Sequence, residues 1–194
     1  MSSLLFVSAF APLITQFDQT IVVGRAFESP DGVHFLGTDQ LGRDMLSRML
    51  FGLRNTVGVA LATAIFSIVL GLSASIIAMM FGRWVFGGLF IIAHAISSLP
   101  PLFWGFFYIP IAGASVRSLV VAMTIALSAR VFRFCCSGSF ETSFASARGA
   151  LKPNAGFHWF KIVVEVLGKE KMMLVAKFGI LFNTTLLTDF ALSF

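Results

Sequence analysis

Three histidines, His34, His94 and His158, and two adjacent cysteines, Cys135 and Cys136, have the widest chemical range in this chain. Imidazoles and thiols share metals, activate nucleophiles and pass protons. Their spacing favours none of these roles. His34 and His158 fall in separate polar stretches and His94 in an uncharged run, so the three are not expected to converge. Neighbouring cysteines seldom meet disulfide geometry, and no CxxC pair offers metal-ligand spacing. Cys135 and Cys136 read as small apolar residues at a helix end. No GxxxxGK followed by Ser or Thr is present, so ATP hydrolysis is not expected of this chain. Catalytic residues, metal ligands and cofactors are all expected to be none, and the chain is not read as an enzyme. His94, Lys177 and Asp189 are the ionisable groups in or beside apolar runs. Such groups are costly in hydrocarbon and often functional. His94 either lines a pathway or bonds a neighbouring helix, Lys177 either serves translocation or snorkels along its stem, and Asp189 lies near an interface.

The elements that must carry these residues are apolar. Of 194 residues, 57% are hydrophobic and 12% are charged, against about 25% charged in soluble domains. Mean hydropathy is +0.91. A soluble fold of this size could not cover so much apolar surface. Phe alone supplies 23 residues, which suits lipid-facing positions. The net charge of +5 and the pI of about 9.8 would suggest nucleic acid on a soluble protein. Here the basic residues sit at the ends of apolar runs, so the positive-inside rule is the simpler account and no nucleic-acid partner is expected.

About five spans are predicted, each needing about 20 apolar residues. Residues 1–17 form a first span, a retained one, since no basic n-region or clear cleavage site marks a signal peptide. Residues 18–54 form an external loop with the turn signal Ser29-Pro30-Asp31-Gly32, then an amphipathic lead-in helix. Met45, Leu46, Met49, Leu50 and Leu53 recur there at helical spacing, and Thr38 or Asp39 is placed to cap the helix. Residues 55–82 are uncharged and form the clearest span, in which Gly58, Ser67, Gly71, Ser73 and Ser75 permit close helix packing. A third span over 85–108 is kinked at Pro100-Pro101. A fourth covers about 116–132, and a last one 171–194. Residues 55–194 thus make a transmembrane core that carries a polar loop at 133–171.

Arg83 and the basic residues of 130–171, eight in all, oppose only Glu141, Glu165 and Glu170. On the other side, Arg25, Arg43, Arg48, Arg54 and Arg117 are balanced by five acids. The first side is therefore expected to be cytoplasmic.

Residues 36–54 read LGTDQLGRDMLSRMLFGLR and run into NTVGVALATAIFSIVLGLSASIIA. This string resembles the segment that opens the second span in the dipeptide/oligopeptide/nickel class of ABC-transporter permeases, in particular the second of the two permease subunits. Ser98-Leu99-Pro100, Ala129-Arg130-Val131-Phe132-Arg133 and Ala191-Leu192-Ser193-Phe194 resemble shorter motifs of that family. The resemblance covers roughly residues 32–194 and is strongest up to about Ala78. It implies an all-α, polytopic bundle like a type I ABC importer permease, multi-pass in a bacterial inner membrane. It also implies two ATPase subunits, a second permease, a periplasmic substrate-binding protein and the lipid bilayer as partners, with alternating access driven by the ATPases.

The family carries an EAA-x-x-x-G signature in the loop between spans four and five, whose short helix docks on the ATPase. Two registers match here. One places the Gly at Gly156 and the EAA at Ala150, Leu151 and Lys152. The other uses Ala145, Ser146 and Ala147, followed by Arg148. The resemblance thus assigns the docking segment to Ala145 through Gly156, with Arg130 and Arg133 as anchors of the loop. Neither register has the Glu, and Pro153 restricts Lys152 and interrupts a helix. The span before Arg130 is shorter than the family's and lacks a Trp. The family's basic N-terminus, Gly-rich turn and sixth span have no counterpart. These departures raise a competing expectation: a truncated, non-transporting permease remnant or a regulatory membrane protein.

Overall fold

The computed structural model describes residues 15, 17–81, 83–136, 142, 146 and 158–192. Their helices are α1 (Met45–Phe81), α2 (Arg83–Ser98), α3 (Pro101–Ala112), α4 (Val116–Cys135), α5 (His158–Lys169) and α6 (Lys171–Leu192). Among the described residues, β pairing is confined to isolated bridges between Val22 and Arg43 and between Thr38 and Asp44. The chain divides into two compact units, Met1–Val59 and Ala60–Phe194.

The first unit is a loop tied to the start of α1. Gly37 and Gly42 have φ of 72° and 74°, a left-handed conformation that costs Gly little. A Cβ at either position would strike a backbone carbonyl, that of Glu28 or Gly24. These two turns fold the strand-like residues 22–28 back on residues 37–43. The amides of Val23 and Gly24 donate to the Gly42 carbonyl at 2.8 and 3.1 Å. The turn predicted at Ser29-Pro30-Asp31-Gly32 falls slightly later: the chain bends at Gly32 and Val33, where Asp31 Oδ1 accepts from the Val33 amide at 2.9 Å.

The lead-in helix and the second span are one helix. α1 has 37 residues, so it is about 55 Å long, well beyond the roughly 30 Å of a hydrocarbon core. Its first turns, which hold Arg48 and Arg54, must stand outside that core. Its cap is neither Thr38 nor Asp39. Asp44, immediately before the helix, accepts from the Ser47 amide through Oδ2 at 2.8 Å. Thr38 and Asp39 are engaged elsewhere, Thr38 by the Glu28 amide and the Arg25 carbonyl and Asp39 by the amides of Leu41 and Arg43.

The second unit is a helical bundle. α1, α4 and the Lys171–Asp189 part of α6 are each long and apolar enough to cross a membrane. The third span, predicted to be kinked at Pro100-Pro101, is broken there into two helices: Trp84–Ser98 and Pro101–Ala112 meet at 91°. Counting that pair as one span gives four, and the predicted first span, residues 1–17, lies almost wholly outside the described residues. Pro101 takes the first position of α3, where its missing N–H has no intrahelical partner to lose. Ile96 carries one of the carbonyls orphaned at the end of α2, and the Trp104 indole donates to it at 3.2 Å. Trp104 thus clasps the bend.

α4 is the central post. Of its apolar window 56% is buried, against 28% for α1 and 22% for α6. It packs against α2, α3 and α6. Ala78, Ala93, Ala129, Phe132 and Cys136 form one buried cluster contributed by α1, α2 and the end of α4. Small residues set this closeness: a Cβ on Gly71 would lie 2.7 Å from the Ser128 carbonyl oxygen. Of the small residues expected to allow packing, Ser67, Gly71 and Ser75 are buried while Gly58 and Ser73 are exposed. The polar stretch 133–171 holds a helix that composition alone did not reveal, α5, with a Lys169–Glu165 pair at 2.7 Å and Val166 turned inward.

Candidate functional site

α4 begins at Ser115, whose hydroxyl accepts from the Ser118 amide at 3.1 Å. From that fixed start the helix runs to Cys135 and carries Arg130 and Arg133 in its last turns. Arg133 complements the negative end of the helix dipole. Arg130 and Arg133, with Phe134 of the same helix and Phe90 of α2, line a recess of about 250 Å³. The Lys177 ammonium of α6 lies 3.9 Å from the centroid of the Phe134 ring, within cation–π reach. This contact gives Lys177 a definite place: it leans on an aromatic ring beside the two arginines. The arrangement can hold an anion or position the chain that follows α4.

Of the predicted docking segment, Ser146 is helical and exposed. Ala145, Ala147, Arg148, Ala150, Leu151, Lys152 and Gly156 lie outside the described residues.

A second polar constellation was not foreseen: the junction leading into α1. His34 and Asp44 are 6% and 5% exposed, with His34 Nδ1 3.3 Å from Asp44 Oδ1. The Ser47 hydroxyl donates to Asp44 Oδ2 at 2.7 Å. Burial pushes the Asp44 carboxyl up, but the bonds from the Ser47 hydroxyl and amide, and from His34, outweigh it and hold its pKa below the ordinary value. Asp39 accepts from the amides of Arg43 and Leu41 at 2.9 and 2.7 Å and pairs with the Arg48 guanidinium. The Arg43 amide leads in lowering its pKa, against burial. The Thr38 hydroxyl accepts from the Glu28 amide at 2.9 Å and donates to the Arg25 carbonyl. The named bonds of Thr38, Asp39 and Asp44 either close the loop or tie it to the first turns of α1, so this arrangement sets a conformation. The signal was present: an acid directly before the first apolar-periodic residue is a helix-start mark.

The three histidines stay apart. His94 is exposed, with its ring centroid 6.2 Å from that of Phe90. His158 opens α5. Cys135 and Cys136 are both buried at the end of α4. The hydroxyl oxygens of Thr63, Ser67 and Thr124 are buried with no hydrogen-bond partner among the described residues. Thr185 and Thr188 instead donate to the carbonyls four residues back, at 2.9 and 2.7 Å.

No family model matches the chain. Curated relatives do. The dipeptide transport system permease protein of Alkalihalophilus pseudofirmus is 26% identical over 127 residues, 64% of this chain and 41% of that protein. The nickel transport system permease protein of Escherichia coli K12 is 30% identical over 97 residues, 50% of this chain and 35% of that protein. The oligopeptide transport system permease protein of Bacillus subtilis is 25% identical over 123 residues, 63% of this chain and 40% of that protein. The chain therefore spans less than half the length of these relatives. The resemblance carried by residues 36–54 is borne out: the chain is similar to peptide and nickel transport permeases, and it is a multi-pass helical membrane protein.

Proposed function

We propose that the chain is a permease subunit of an ATP-driven importer for peptides or nickel in a bacterial inner membrane. The observation that carries this reading is the junction into α1. Gly37, Thr38, Asp39, Gly42 and Asp44, the residues on which the resemblance rests, each have a specific structural duty there. Similarity to peptide and nickel permeases supports the same reading.

In this reading the chain pairs with a second permease and takes substrate from a periplasmic binding protein. Two ATPase subunits dock on the cytoplasmic loop at residues 145–156, and their closure drives alternating access. Arg130 and Arg133 hold the start of that loop. Deleting residues 145–156 should abolish co-purification with the ATPase subunits while the chain stays in the membrane fraction. Unchanged co-purification would refute the docking assignment. Uptake of labelled dipeptide and of nickel, compared in cells with and without the gene, identifies the substrate class.

A second reading, a non-transporting or regulatory membrane protein, is favoured by one observation: both docking registers lack the Glu, and Pro153 interrupts the helix that would carry it. Normal uptake of both substrates in the deletion strain would favour this reading over transport.

A further inference from the structure

α2 has two long faces, and the bundle covers one of them. Ala93 is buried in the cluster shared with Ala78, Ala129 and Phe132, and Phe86, Leu89, Phe90 and Ile96 pack against it. Those five residues of α2 recur three and four apart and define its inward face. On the other side, Trp84, Gly87, Ile91, His94 and Ser98 follow one another in alternating steps of three and four. Trp84, Ile91, His94 and Ser98 are exposed, Ile91 at 70%, and the space around the Gly87 Cβ position is empty. Alternating steps of three and four are the repeat by which two helices share one seam. Glycine is the residue that lets membrane helices approach closely.

His94 makes this face more than an apolar one. Its neighbour Ala93 packs with Ala129. Ala129 stands six residues before the end of α4 at Cys135, about 9 Å inside it. His94 also lies about 16 Å along α2 from Arg83. Both measures put the imidazole in hydrocarbon, which offers no hydrogen bonds. The ring lies beside Phe90 and makes no hydrogen bond among the described residues. Ionisable groups at such depth face protein or a water-filled cavity, whereas this one is uncovered in the single chain. A second membrane helix that brings a donor or an acceptor to the same depth would satisfy it.

Another copy of this chain meets that requirement by symmetry. Two copies inserted with the same topology and closed as a pair have their two-fold axis along the membrane normal. That axis sets each residue of the seam against its own counterpart at equal depth. A neutral imidazole carries one N–H donor and one bare nitrogen acceptor, so two of them complete one hydrogen bond. We propose that α2 is a dimerisation helix: Trp84, Gly87, Ile91 and Ser98 form a parallel seam with the same residues of a second copy, and His94 bonds to His94 across it. This dimer requires the membrane reading of the chain and neither transport nor ATPase docking.

The full chain is tested in native membranes, with Cys135 and Cys136 replaced by Ala and copper phenanthroline as oxidant. Gly87→Cys, Ile91→Cys and Ser98→Cys should each give a disulfide-linked dimer. Ile92→Cys, about 100° round the helix from Ile91 and 56% exposed, should not. In a bilayer, where dimers are counted by single-molecule photobleaching, His94→Leu should weaken association about threefold to tenfold, the range for one hydrogen bond between membrane helices. His94→Asn, which keeps a donor and an acceptor, should restore most of it. A folded chain that stays monomeric in the bilayer at high protein-to-lipid ratio would overturn the dimer. Equal cross-linking at positions 91 and 92 would also overturn it, since that pattern marks random collision. A cross-link from Ile91→Cys to a different protein, with none to itself, would assign the face to another subunit and exclude the second copy. Unchanged association in His94→Leu would overturn the role given to the imidazole. Dimer counts need no ATPase, so a failed docking segment would leave them unaffected.

Discussion

At the scale of single residues, two glycines in α1 make opposite predictions from the same substitution. Gly58 has open space around its Cβ position, whereas a Cβ on Gly71 would press on Val131 and the Ser128 carbonyl. Gly58→Ala should stabilise by about 1 kcal/mol through helix propensity. Gly71→Ala should destabilise by about 1–3 kcal/mol through overpacking. Thermal unfolding in detergent reads both signs. Asp44→Ala removes the cap of α1 and the partner of His34, and should cost about 0.5–2 kcal/mol. Asp44→Asn, which keeps an acceptor for the Ser47 amide, should cost less. The carboxyls of Asp31, Asp39 and Asp44 all titrate below their ordinary value in the folded loop. Their stabilisation is therefore complete above the unfolded carboxylate pKa of about 3.9 and is lost as pH falls through the folded values. Amide exchange at Leu41, Arg43 and Ser47 should show protection that is level at neutral pH and collapses only in strong acid. Much of this was readable in advance: LGTDQLGRD is built of residues suited to turns and caps. Which carboxylate would cap the helix was not, because the choice depends on where Gly42 turns the chain. The pairing of His34 with Asp44 was also hidden, since ten residues and a loop separate them.

At the scale of elements, the bend between α2 and α3 is the feature that sequence reading understated. Pro100-Pro101 marked a kink in the right place, but proline alone does not set an angle of 91°. The angle is held by Trp104, whose indole reaches back to Ile96, and by the packing of both halves on α4. Neither the bond nor the packing leaves a local mark in the sequence. Spin labels at Gly88 and Ile111 should therefore lie about 23 Å apart, against about 35 Å for a straight helix of the same residues. Trp104→Phe should broaden that distance distribution toward longer values. An unchanged, narrow distribution would mean that packing alone holds the bend. The long apolar runs that became α1, α4 and α6 were legible because hydrocarbon demands uninterrupted hydrophobicity. α5 was hidden, because a short amphipathic helix in a polar stretch shows neither a long run nor a strong cap.

At the scale of the whole chain, the charge asymmetry makes an orientation testable. With Cys135 and Cys136 replaced by Ala, a single cysteine at the exposed Phe35 should react with a membrane-impermeant maleimide in intact cells, and one at Lys169 should react only after lysis. The reverse pattern would invert the topology and refute the proposed docking of an ATPase on residues 145–156. Inside the chain, the continuity of α1 has a consequence of its own. No break interrupts α1 between Ala60 and Phe81, so that stretch has a single angular phase. Inserting one residue after Leu72 would turn Ala78 by about 100° relative to Gly71, so that the two could no longer face α4 together. One extra residue between α3 and α4, where the chain is not helical, would leave that phase untouched. Tolerance to insertion should thus follow helical continuity more closely than distance from any functional residue.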